Sequence, residues 1–192
     1  MLEEEYQPRR KLPPHLQPKP QPEAPFEYVV RQAVSEDVPH IREIYNHYVL
    51  NSTVTFDEEP MSLSAMRKKL TTIDALGFPF IVAESPSGQI LGYAYVYPWK
   101  EKAAYRYTVE NSIYLGPAAT GKGLGRELLN ELIMRSKAAG IREIIAVIAD
   151  KGADASIAMH EKFGFTEIGR MGKVGFKFDR WLGTVLLQKS LK

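Results

Sequence analysis

One short stretch constrains this chain more than any other. Gly121-Lys122-Gly123-Leu124-Gly125-Arg126 lies between a strongly apolar run and an amphipathic one. Upstream, Tyr107–Leu115 reads as a strand. Downstream, Leu124, Leu128 and Leu132, with Leu129 and Ile133 beside them, form a helical stripe that Gly140 closes. A plain strand–helix turn is the simpler reading, but three alternating glycines exceed what a turn requires. They let the backbone curl so that successive N–H groups converge at a helix N-terminus. Such a nest receives phosphate through its donors and the helix dipole together. The run Glu143–Ile148 then reads as a buried strand, which makes a β-α-β unit.

Two familiar phosphate loops do not fit. Gly116 through Gly123 nearly matches the P-loop pattern, and Ile144 through Asp150 resembles an acidic magnesium-holding strand. A P-loop, however, needs Ser or Thr directly after its Lys to ligate magnesium, and here Gly123 stands there. Pro117 also removes an N–H from the loop. The order Gly-x-Gly-x-Gly likewise departs from the dinucleotide fingerprint Gly-x-Gly-x-x-Gly.

The remainder of the chain reads as one α/β domain over residues 26–192. Phe26–Ala33 is predicted as a strand, Ser35 as a helix N-cap, and Val38, Ile41, Tyr45 and Tyr48 as a helical stripe. A second helix follows Ser62. Phe80–Glu84 and Ile90–Tyr97 read as a hairpin around Pro86-Ser87-Gly88, and Trp99–Arg106 as a loop. Ser156–Phe163 is a short helix, and Phe165–Met171 and Trp181–Lys189 are strands. Residues 1–25 hold seven of the thirteen prolines and few apolar groups, so they read as a flexible arm.

Composition removes several functions. With 25 Lys+Arg against 23 Asp+Glu, the net charge of +2 gives no electrostatic case for nucleic acid or a membrane surface. The chain has no cysteine, hence no disulfide and no thiolate chemistry, which fits a reducing compartment. His15, His40, His47 and His160 show no metal-ligand spacing, so no metal site is expected. No apolar run approaches the roughly 20 residues of a membrane span.

Several linked motifs resemble the GNAT superfamily of N-acetyltransferases, in particular its phosphinothricin and methionine sulfone (sulfoximine) branch. They are Pro98-Trp99-Lys100, Thr108-Val109-Glu110-Asn111-Ser112-Ile113-Tyr114-Leu115, Gly123-Leu124-Gly125, Ser156-Ile157-Ala158-Met159-His160-Glu161 and Gly175-Phe176-Lys177-Phe178-Asp179-Arg180-Trp181. Ser52-Thr53-Val54-Thr55-Phe56 also resembles that branch, and the likeness spans about residues 27–190. It implies a twisted, mixed sheet of about seven strands with about four helices and one splayed parallel strand pair. It also implies acetyl-CoA as co-substrate and a small-molecule amine acceptor. Two positions depart from the family pattern: Thr120 replaces a Gln or Arg, and Ala153 replaces an Asn.

By the same resemblance, Ile113, Tyr114 and Leu115 flank pantetheine. Gly121, Lys122, Gly123, Leu124, Gly125 and Arg126 receive the pyrophosphate, and Ser156 lies near the pantetheine end. The chemistry needs a neutral amine, and deprotonating an amino-acid ammonium near neutral pH costs on the order of 3 kcal/mol. Glu110 is the candidate group for that proton, and a backbone N–H near Leu115 the oxyanion donor. His160 is the candidate acid for the leaving thiolate. Phe56, Trp99, Lys100, Tyr105, Arg106 and Tyr107, together with the C-terminal Lys177–Trp181 region, are expected to line the acceptor pocket, with Lys100 or Arg106 on a carboxylate. The resemblance further implies a cytoplasmic homodimer. Transfer to a peptide N-terminus or lysine, and acetyl-CoA sensing without catalysis, are the competing functions.

Overall fold

The computed structural model describes residues 26–192; residues 1–25, and the arm expected there, lie outside the described residues. Seven strands form one sheet. They are β1 (Val29–Gln32), β2 (Phe80–Glu84), β3 (Ile90–Pro98), β4 (Thr108–Leu115), β5 (Glu143–Ala149), β6 (Thr166–Lys177) and β7 (Arg180–Ser190), in the order β1-β2-β3-β4-β5-β7-β6. Every neighbouring pair is antiparallel except β4 with β5. Helix α3 (Leu124–Ala138) makes that crossover.

Alternation along the strands sorts side chains to two faces. On one, Phe80, Val82, Tyr93 and Tyr95 meet α1 (Val38–Asn51) and α2 (Leu63–Ala75) through Ile41, Tyr45, Met66, Leu70 and Ile73. On the other, Ile81, Ala94, Val96, Val109, Ile144 and Ala146 meet Leu124, Leu128, Leu129 and Leu132 of α3. Helix α4 (Asp154–Lys162) lies on this second face through Ile157 and Met159.

Four local expectations are corrected. Ser35 does not cap α1. Ser35–Asp37 form a 3-10 turn, and the Asp37 carboxylate accepts the Val34 N–H at 2.9 Å while Arg31 holds it at 2.7 and 2.8 Å. That ion pair fixes Asp37, so the helix begins at Val38. The first strand is shorter, Val29–Gln32, the residues in register with β2; Ala33 adds one N–H bond to Phe80 C=O at 2.7 Å. Helix α4 starts at Asp154, two residues before Ser156. Strand β6 runs six residues past Met171, to Lys177. The turn into β7 uses Phe178 and Asp179, both at positive φ (51° and 56°). Non-glycine residues rarely adopt that conformation, so the hairpin carries no sequence signal.

Candidate active site

Strands β4 and β5 pair at Thr108↔Glu143, Val109↔Ile144 and Glu110↔Ile145, then separate. Both continue, to Leu115 and Ala149, so the sheet opens into a V whose apex is Glu110. A cavity of about 1020 Å³ occupies the opening. Asn111 through Leu115 wall one side, Ala146 through Ala149 the other, and α4 and the glycine loop close it.

Ladder alternation aims specific backbone groups into this gap. Trp99 N–H donates to Thr108 C=O and Gly116 N–H to Leu91 C=O, which fixes the even-numbered β4 residues as hydrogen-bonded to β3. The backbone groups of Ile113 and Leu115 therefore turn toward the V. The Leu115 carbonyl is taken by the Tyr48 hydroxyl at 2.7 Å. The Ile113 amide and carbonyl and the Leu115 N–H line the opening for an extended chain to pair with.

The glycine loop completes the cleft. Gly121 and Gly123 take positive φ (75° and 83°), and an added Cβ at either would meet open space. No side chain caps α3. Among the described residues, no acceptor pairs with the N–H groups of Gly121 through Gly125; the first helical bond is Arg126 N–H to Gly123 C=O at 3.0 Å. Five free donors at a helix N-terminus fit a diphosphate. Thr120 adds no donor, because its hydroxyl already donates to Pro117 C=O.

Glu110 lies opposite Tyr97, on the face that carries Tyr93, Tyr95 and Ser112, so it points toward the α1–α2 side. Burial raises its carboxyl above the ordinary value, opposed by the charges of Lys100 and Lys69. Asn111 and His160 lie on the α3–α4 side. His160 is only 3% exposed. Its Nδ1 lies 2.8 Å from Ser156 C=O, and its Nε2 lies 2.9 Å from Asn111 Nδ2. A carbonyl only accepts and an amide nitrogen only donates, so the ring is the neutral Nδ1–H tautomer. Burial lowers its pKa, which agrees.

The cavity thus brings together Phe56, Glu110, Ile113, Tyr114, Leu115, Gly121, Gly123, Gly125, Arg126, Ser156 and His160. Leu124 is a core residue that offers only its N–H, and Lys122 is exposed with its ammonium over the Phe26 ring. Trp99, Lys100, Tyr105, Arg106 and Tyr107 do not line the cavity. Lys100 stacks on Trp99 at 4.5 Å, Arg106 on Tyr107 at 4.7 Å, and Tyr105 and Tyr107 are 44% and 51% exposed. The sequence reading misses Tyr48, which locks the end of β4, and places Lys177 in the acceptor pocket. Lys177 is instead 2% exposed and donates to Ser52 C=O at 2.9 Å and Thr55 C=O at 2.8 Å, holding the segment that carries Phe56. Tyr48 shares the first-helix stripe and Lys177 interrupts the apolar Phe176-Lys177-Phe178 run, but neither pattern names a partner.

A splayed parallel pair above an uncapped, glycine-lined helix start makes a site for an extended chain that ends in a diphosphate. Residues 30–186 match the acetyltransferase (GNAT) domain family, and the chain belongs to that family of acetyl-CoA-dependent N-acetyltransferases. Over 162 residues it is 41% identical to a phosphinothricin N-acetyltransferase of Alcaligenes faecalis, across 84% of this chain and 82% of the relative. It is 39% identical to an L-methionine sulfoximine/L-methionine sulfone acetyltransferase of Pseudomonas aeruginosa, across 84% and 94%. A crystal structure of a phosphinothricin acetyltransferase from Sinorhizobium meliloti in complex with acetyl-CoA superposes with a TM-score of 0.82. It is 44% identical, across 85% of this chain and 88% of that one.

Proposed function

We propose that this enzyme transfers the acetyl group of acetyl-CoA to the α-amino group of a small amino acid or analogue. Phosphinothricin, methionine sulfone and methionine sulfoximine are the acceptor types. The observation that carries the reading is the position of Glu110. It stands at the apex of the V, on the face opposite the phosphate nest. The two substrates would therefore enter from opposite sides of the sheet and meet at the apex.

Ionised Glu110 attracts the incoming ammonium and takes its proton, directly or through water. Burial makes this carboxylate a stronger base than an exposed one. The freed amine lone pair attacks the thioester carbonyl carbon, and a β4 backbone N–H at Ile113 or Leu115 receives the oxyanion. Collapse forms the amide and breaks the C–S bond, leaving the electron pair on sulfur, which takes up the second proton released by the amine nitrogen and departs as the CoA thiol. Without a cysteine, and with no nucleophile other than the substrate amine required, the transfer is direct in a ternary complex. His160 serves in its neutral form as a positioning residue, because both ring nitrogens are engaged in holding Asn111 and the first turn of α4.

The enzyme works as a cytoplasmic homodimer. Support for the dimer comes from the β6–β7 hairpin at the end of the sheet, where Phe176, Phe178 and Trp181 are all exposed. Among the described residues, no helix is long and apolar enough to cross a membrane.

The test is CoA release from acetyl-CoA against a panel of amino acids, the three analogues, polyamines and short peptides. Selective turnover of the analogues is expected. Turnover of peptides alone would replace the acceptor class, and acetyl-CoA binding without any turnover would replace catalysis with sensing.

A further inference from the structure

We infer that Lys69 supplies the cation that holds the acid group of the acceptor, an inference that rests on the acetyl-transfer reading above. Lys69 lies on α2, half-buried against the sheet. Its Nζ sits 5.2 Å from the centre of the Tyr95 ring and 5.7 Å from that of Tyr45, and donates to the Tyr95 hydroxyl at 3.2 Å. Among the described residues it forms no ion pair. Its stem is covered and its ammonium rests on two ring faces, so the charge is held in place without being neutralised.

That place is the acceptor side. Tyr95 pairs with Ser112, and the next pair on the same face is Tyr97 with Glu110. The Lys69 charge reaches the Glu110 carboxyl and opposes the effect of its burial. An α-amino acid is a zwitterion whose ammonium and carboxylate share one carbon. Glu110 and Lys69 present the complementary pair, a carboxylate and an unpaired ammonium on one sheet face. Lys100 also acts on Glu110, but it is exposed and rests on one ring, whereas Lys69 is half-buried, rests on two rings and is tied to the Tyr95 hydroxyl. The phosphate nest lies on the opposite face, so Lys69 is not placed to serve the cofactor.

The shared chemistry is an acid group, which the acceptor offers as its α-carboxylate or, in phosphinothricin, also as a side-chain phosphinate. Three acceptors separate these sources: methionine sulfone, its primary amide, and phosphinothricin. Lys69→Met keeps the stem on the rings and removes the charge; Lys69→Arg restores a cation. The expected result is a KM for methionine sulfone raised about tenfold or more in Lys69→Met with kcat little changed. The amide KM should be equal in wild type and variant, and Lys69→Arg should recover most of the loss. An effect confined to phosphinothricin assigns Lys69 to the phosphinate and supports the inference equally.

The inference is overturned if Lys69→Met shifts methionine sulfone and its amide alike, or shifts none of the three acceptors. Melting temperature and acetyl-CoA affinity, both expected to match wild type, show that the variant is folded. A wild type that turns over none of the three acceptors overturns the acceptor reading itself, and this inference with it. A wild type that turns them over while Lys69→Met behaves identically overturns this inference alone.

Discussion

Burial works against charge on both Glu110 and His160, with opposite consequences for their titrations. The Glu110 carboxyl is raised and the His160 imidazole lowered. In the proposed mechanism Glu110 acts as the ionised base, so kcat/KM should fall as pH drops through a value above the ordinary carboxylate pKa. For stability, a raised carboxylate pKa is a cost to the folded state that is fully present at neutral pH and fades in acid. Glu110→Gln should therefore melt above wild type at neutral pH, with the gap closing as pH falls toward the ordinary carboxylate range. A variant that melts below wild type at neutral pH contradicts the burial argument. His160, its pKa lowered by burial and both ring nitrogens engaged, should add no second ionisation to the acidic limb of kcat/KM. A limb that needs two protons, and that loses one in His160→Gln, would restore an acid role to that ring.

Among the elements, the loop after α1 is positioned by a strand distant in sequence. A Cβ on Gly175 of β6 would lie 2.5 Å from the Phe56 ring, and Lys177 of the same strand holds the carbonyls of Ser52 and Thr55. Gly175→Ala must displace Phe56 from the cavity wall. Its expected signature is an acceptor KM raised severalfold with acetyl-CoA affinity unchanged; an unchanged acceptor KM would free Phe56 of any acceptor role. This coupling also shows where sequence reasoning stopped. Strand β4, the α3 stripe and the glycine loop were legible because period and glycine spacing are local signals. The exposed Trp99–Tyr107 segment was read as pocket lining because aromatics and cations there suit an amino acid. The structure instead stacks Lys100 on Trp99 and Arg106 on Tyr107 and leaves Tyr105 exposed. Lys69 was passed over beside the buried Met66 and Leu70 because helical spacing cannot say which aromatic faces a flanking cation will meet.

For the whole molecule, two facts define the enzyme: a sheet that opens at one parallel junction, and different helices on its two faces. The first opens a cleft between β4 and β5, and the second sets the uncapped glycine loop and Glu110 on opposite faces of the sheet. The exposed hairpin at the far edge, with Trp181 56% exposed, bears on assembly. Light scattering should give twice the chain mass for wild type and a lower mass for Trp181→Lys; a wild-type monomer would refute the dimer. The most direct test of the whole account compares wild type with Glu110→Gln on methionine sulfone and phosphinothricin, with acetyl-CoA binding measured in parallel. The account predicts N-acetylated product from wild type and a loss of about 10²-fold or more in kcat/KM for the variant, with acetyl-CoA affinity unchanged. Equal turnover by the two proteins would contradict it.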